Sequence, residues 1–229
     1  MFIFYMTRKI RLFFYLEICQ NSDMNEMYLM RHGETEWNRE KRYQGQLDSP
    51  LTETGRSRTL LQKKRIQTLH FSNVYCSPLG RTRNTLNILS PDTDKINFED
   101  GLKEVSLGIL QGKTHNELSS EEAEAQHNFW HNPGSFELEG AESMPVLENR
   151  VRTFLDKLEN EKGPILVVTH TVIIKMILKI LESRPIERLW EDPFLHPATI
   201  LVIDRKNGST VKEVIHPEED MPRPGSYTA

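Results

Sequence analysis

The stretch that most constrains this chain is "PILVVT", Pro164–Thr169. It is continuously apolar, rich in β-branched residues and without polar alternation. A strand that reads this way is buried on both faces, as a central strand of a parallel sheet is. The segment after it, "VIIKMILKIL", reads as a buried helix. Parallel strands need crossover connections, so the rest of the chain should supply strand–helix units. It does. "MYLM" is a short apolar strand and "QLDSPLTETG" a turn-rich loop, with Thr52 or Thr54 as a helix N-cap. Residues 55–70 follow as a polar helix whose apolar side is Leu60, Leu61, Ile66 and Leu69. "NVYCS" is a second strand, followed by a helix from Pro78 to about Leu89, and "KINFE" is a third strand. Residues 105–142 read as irregular and polar, an insertion carrying Phe129, Trp130 and Phe136. Leu147, Val151, Phe154, Leu155 and Leu158 then fall on one helical face. "TILVID" and "TVKEVI" are late strands. The expected fold is an α/β, three-layer α/β/α sandwich with a mostly parallel central sheet.

The organisation expected is a single domain over residues 24–215, with the lid-like insertion at 105–142 and a flexible tail at 216–229. Residues 1–23 read as an extension, disordered or a leader upstream of Met24 or Met27. The other reading of this extension is a weak amphipathic surface anchor, because its charges sit between two short apolar patches. The 229 residues carry a net charge of −4, so a nucleic-acid partner, which favours basic excess, is not expected. Two distant cysteines, Cys19 and Cys76, fit a reducing cytoplasm. Oligomeric state is left open.

In open α/β sheets the functional site lies beyond the carboxyl ends of the strands. The first strand delivers Arg31, His32 and Gly33, the second Ser77, Pro78 and then Arg81, the third Glu104, and "PILVVT" His170. Each alone has an ordinary explanation as a solvated or satisfied polar group. Jointly, two arginines, two histidines and a glutamate suit phosphoryl transfer. Arginine forks match phosphate oxygens. A neutral imidazole is a competent nucleophile. A carboxylic acid protonates the leaving oxygen and then, as carboxylate, activates water. Gly33, without a side chain, would let phosphate approach the backbone.

"LMRHGETEWN" resembles the R-H-G signature of the histidine phosphatase superfamily, also called phosphoglycerate mutase-like. The likeness continues in order through "QGQLDSPLTETG", "SPLGRT", "LKEVSLGILQG", "EGAES" and "VVTH". The resemblance implies His32 as the phosphorylated nucleophile, and Arg31, Arg81 and His170 as the phosphate pocket. It also implies Glu104 as proton donor and acceptor, Asn38 as a phosphate holder, and Gln44 and Gly45 as a loop lining the substrate entrance. Thr171 stands where the family commonly has glycine, Leu110–Gln111 where it often has Trp-Glu, and Thr82 where alanine is common. The implied substrate is a small phosphorylated metabolite, with no cofactor and no metal. "QGQLDSPLT" and the short 105–142 insertion look more like the phosphatase branch than the mutase branch. A cofactor-dependent mutase is the alternative, and a catalytically silent interaction module of the same fold the alternative of another class. His127 and His131, four residues apart, could share a metal, but no third ligand is evident in the sequence. Neither a P-loop nor a G-x-S-x-G elbow occurs.

Overall fold

The computed structural model describes residues 25–206 and 209–218. The readings of residues 1–23 and of most of the tail lie outside them. The sheet has six strands in the order β5-β3-β6-β1-β7-β8. They are β1 (Glu26–Arg31), β3 (Asn73–Cys76), β5 (Ile96–Phe98), β6 (Ile165–Thr169), β7 (Ile200–Asp204) and β8 (Thr210–Ile215). Two further short strands, β2 (His70–Phe71) and β4 (Asp92–Thr93), pair with each other. β1, β3, β5 and β6 run parallel, and β7 is antiparallel to both β1 and β8. The helices are α1 (Glu36–Arg39), α2 (Glu53–Ile66), α3 (Gly80–Leu89), α4 (Ser120–His131), α5 (Met144–Leu158) and α6 (Thr171–Leu181). The strand identified from "PILVVT" is β6, and it is central: β1 flanks it on one side and β3 on the other.

Alternation along the strands divides the core in two. Met27, Leu29, Ile165, Val167, Leu201 and Ile203 face α5, α6 and the 105–142 segment. Tyr28, Met30, Leu166, Val168, Ile200 and Val202 face α2 and α3. Both faces of the sheet are therefore covered, which is the three-layer sandwich expected. The α5 stripe behaves as its periodicity indicates, with Leu147, Val151, Phe154 and Leu158 all buried.

Two readings are corrected. The first concerns α2, whose buried side is Gly55, Thr59, Gln62 and Ile66, while Leu60 is 49% and Leu61 39% exposed. The helix is held to the sheet by polar chemistry and close approach. Gln62 Nε2 donates to Ala198 O at 2.8 Å and Ile215 O at 2.9 Å, and Thr59 Oγ1 donates to Gly55 O at 2.7 Å. A Cβ on Gly55 would lie 2.2 Å from Glu34 O, so only glycine permits this packing. The second is the segment 105–142, which contains a full helix, α4. Its Ser119 N-cap forms a reciprocal capping box with Glu122, a pattern worth about 1 kcal/mol. Phe129 and Phe136 are buried against the body of the domain. Among the described residues no helix is long and apolar enough to cross a membrane.

Candidate functional site

The parallel strands β1, β3 and β6 end on one rim, and the residues that follow them converge there. His32 leaves β1 with its backbone still tied to both neighbours: its N–H donates to Thr169 O and its carbonyl accepts from Ala198 N, each at 3.0 Å. The ring is 4% exposed, and Nδ1 is 2.8 Å from Gly33 O. A carbonyl only accepts, so Nδ1 carries the proton and Nε2 keeps a lone pair. Burial first, then the Arg81 and Arg31 charges, hold the imidazole well below the ordinary histidine pKa. It is a neutral base over the physiological range.

His170, the N-cap of α6, lies beside it with ring centroids 5.2 Å apart. Its Nε2 is 2.8 Å from Ser77 Oγ. Ser77 Oγ also accepts from Leu79 N at 3.4 Å. Ser77 Oγ accepts from the amide, and the direction of its bond with His170 Nε2 is set by the tautomer of that ring. His170 Nδ1 is buried and has no hydrogen-bond partner among the described residues. Burial and the neighbouring Arg81 charge keep this ring neutral too.

Arg81 sits on the first turn of α3 and is 1% exposed. Nη1 donates to Leu47 O at 2.7 Å and to Asp48 Oδ1 at 2.8 Å, and Nη2 donates to Gly45 O at 2.7 Å. Its Nε remains a buried donor without a partner among the described residues. Asp48 also accepts from the backbone of Gly80 at 2.6 Å and of Arg81 at 3.2 Å, so one carboxylate caps α3 and fixes the guanidinium. Arg31 Nη1 donates to Leu195 O at 2.6 Å. Glu104 accepts from Val105 N at 3.0 Å and Val172 N at 3.3 Å. Burial raises its pKa above the usual carboxylate value, opposed chiefly by Arg81. Arg150 and Gln46 both donate to the Glu104 carbonyl, at 3.2 Å and 3.1 Å, and hold that segment in place.

Of the residues expected from sequence, Arg31, His32, Asn38, Gln44, Gly45, Arg81, Glu104 and Thr171 line one cavity of ≈ 320 Å³, and His170 stands against the ring of His32. Several have duties the sequence did not reveal. Asn38 lines the cavity, yet its Oδ1 also closes a capping box with Thr35. Gln44 is 9% exposed, deeper than an entrance residue. The carbonyl of Gly45 holds Arg81.

Gly33 needs a correction. Its amide donates to Thr85 Oγ1 at 3.0 Å, and an added Cβ would lie 2.8 Å from Thr59 Oγ1 and 2.9 Å from Gly55 O. Glycine is required there for the β1–α2 approach and leaves no amide for phosphate. The departures from the family pattern are accommodated. Gln111 Oε1 accepts from Gln46 N at 2.7 Å, as a glutamate would, and Thr82 Oγ1 donates to Ser77 O at 2.9 Å. His127 and His131 stack on each other at 4.4 Å on an exposed side of α4, and among the described residues no cluster of three His, Cys, Asp or Glu side chains surrounds them.

Asp48, Ser77 and Trp190 were not singled out from sequence. Ser77 stood at a strand end, which was the available signal. Asp48 gave none, since its partners Gly80 and Arg81 lie far along the chain. Trp190 escapes the strand-end rule because β7 is antiparallel: the residues before it, not after it, reach the rim.

A family model for the histidine phosphatase superfamily (branch 1) matches residues 27–216. The chain belongs to that superfamily. Among curated proteins it is similar to a probable phosphoglycerate mutase, GpmB, of Salmonella choleraesuis, 33% identical over 71% of this chain and 77% of that one. Among solved structures it is similar to Bacillus stearothermophilus YhfR, with a TM-score of 0.76, 32% identity, and coverage of 84% of this chain and 99% of that one. TTHB049 of Thermus thermophilus gives a TM-score of 0.61 at 29% identity, covering 81% of this chain and 97% of that one. The superfamily carries out phosphoryl transfer, and the fold is phosphoglycerate mutase-like.

Proposed function

We propose that this protein is a phosphomonoesterase that works through a phosphohistidine on His32, without a metal. The observation that carries the reading is the fixed ring of His32. With Nδ1 held by Gly33 O, Nε2 is the free nucleophile, and two buried nitrogens without hydrogen-bond partners among the described residues, Arg81 Nε and His170 Nδ1, belong to the side chains around it. Nε2 attacks phosphorus, the P–N bond forms and the P–O bond to the leaving alcohol breaks. Arg31, Arg81 and His170 bind the phosphoryl oxygens, whose negative charge is worth most to such donors in a site from which water is excluded. The Gly33 carbonyl stabilises the positive charge that the phosphorylated ring acquires. Glu104, kept protonated to higher pH than an ordinary glutamate, gives its proton to the leaving oxygen. It then takes a proton from water as that water attacks phosphorus, the P–N bond breaks, and inorganic phosphate and neutral His32 are regenerated.

A second reading is transfer to a sugar-acid hydroxyl in place of water. The name of the Salmonella relative, a probable phosphoglycerate mutase, favours it. Turnover of 3-phosphoglycerate with and without 2,3-bisphosphoglycerate tests the two. The hydrolase reading expects no bisphosphate-dependent formation of 2-phosphoglycerate, and free phosphate from an aryl or benzyl phosphate in the presence of chelator. Isomerisation outpacing phosphate release would replace it with the mutase reading.

A further inference from the structure

All three tryptophans of the chain, Trp37, Trp130 and Trp190, line the candidate pocket. They come from three separate places: α1, the lid helix α4, and the segment between α6 and β7. Each is only partly buried, so ring surface remains for a bound molecule. The Trp130 and Trp190 rings lie 4.6 Å apart, and both pack on Phe129 at 5.1 Å. Trp190 Nε1 donates to Phe129 O at 2.7 Å, so its polar atom is spent and the ring is what faces the pocket. Phe194 and Leu195 continue the wall.

The cations of the same pocket beyond Arg31 and Arg81 are committed elsewhere or solvated. Lys175, 5% exposed, donates to the carbonyls of Glu191 and Pro193. Arg42 donates to Gly112 O and to the carboxylates of Glu40 and Glu117. Lys41 and His115 are exposed at the mouth. A second phosphate or carboxylate against the aromatic wall would lose its water without gaining a guanidinium fork. An aromatic ring there gains apolar burial and offset stacking.

We propose that the group esterified to the phosphate in this protein's substrates is aromatic and uncharged, and that Trp130 and Trp190 select it. The proposal rests on the phosphomonoesterase reading for its turnover arm but not for its binding arm. Benzyl phosphate and glycerol 3-phosphate are both primary alkyl esters with similarly poor leaving groups, so they differ chiefly in what the wall meets. The expected kcat/KM is at least about tenfold higher for benzyl phosphate, an energy of about 1.4 kcal/mol. Equal or reversed values overturn the proposal. Benzylphosphonate and methylphosphonate, which are not hydrolysed, are titrated against intrinsic tryptophan emission, all of which originates in this pocket. At least about tenfold tighter binding of the benzyl compound is expected, and equal affinities overturn the proposal. Ring-selective binding without any turnover would support it while sinking the hydrolase reading. Trp130→Ala is expected to shrink both ratios toward one, and ratios left unchanged would show that this wall is not the selector.

Discussion

The inner end of the pocket and its outer wall are built on different principles. The inner end is polar, buried and over-determined. His32, His170 and Arg81 are each nearly inaccessible, each sits at the end of a strand or the start of a helix, and each is oriented by a second residue. The outer wall is aromatic and partly exposed, on α4 and the segment before β7, and it is held by ring packing and by the Trp190–Phe129 hydrogen bond. On the proposed reading, chemistry common to every phosphoester sits at the strand ends, and what distinguishes one ester from another sits on α4 and the segment before β7. Substitutions at the inner end should therefore lower the rate together for esters of equal leaving-group ability, whereas substitutions in the wall change the ratio between such esters.

The largest expected effect inside that division is at Glu104. Glu104→Gln should lower kcat/KM, which reports the phosphorylation step, by about 10²- to 10⁴-fold for alkyl phosphates, whose leaving group needs a proton. For an activated aryl phosphate the loss should be much smaller. The pH dependence follows from the directions of the shifts. His32 must be neutral, and its lowered pKa moves the acid limb below the usual histidine range. Glu104 must be protonated, and its raised pKa moves the alkaline limb above the usual carboxylate range. The glutamine variant should lose the alkaline limb only. Equal losses for good and poor leaving groups, or an unaltered alkaline limb, would remove Glu104 from the acid role.

A smaller effect is expected at Asp48. Asp48→Ala removes the acceptor that orients Arg81 and one that caps α3. A misplaced guanidinium should cost about 10- to 10²-fold in kcat/KM, equally for benzyl phosphate and glycerol 3-phosphate. Inhibition by inorganic phosphate should weaken in step, while the ratio between the two esters stays fixed. A change in that ratio would mean that the inner and outer parts of the pocket are not separable.

Most of the sheet was legible from sequence because β1, β6 and β7 are apolar on both faces, and a central place in a covered sheet buries such runs. The candidate residues were legible for a related reason. Parallel strands deliver their next residues to one rim, so His32, Arg81, Glu104 and His170 could be gathered from the sequence alone. What resisted was structure stabilised by polar or long-range terms. The inner face of α2 is glycine, threonine and glutamine, so a search for an apolar stripe selected Leu60 and Leu61, on the wrong side. α4 is polar over most of its length, although the Ser119–Glu122 capping box was there to be read. Asp48 acts on residues far away in sequence, and Trp190 arrives ahead of an antiparallel strand. Gly33 was legible as a necessity but not for its reason, which is the proximity of α2.

The central claim is that His32 carries the phosphoryl group. Rapid quenching of the protein with a radiolabelled alkyl phosphate, followed by peptide mapping under alkaline conditions that preserve phosphohistidine, measures it directly. The account predicts an acid-labile label confined to the peptide containing His32 and absent from His32→Ala. A label persisting in His32→Ala, or turnover unchanged in that variant, would contradict it.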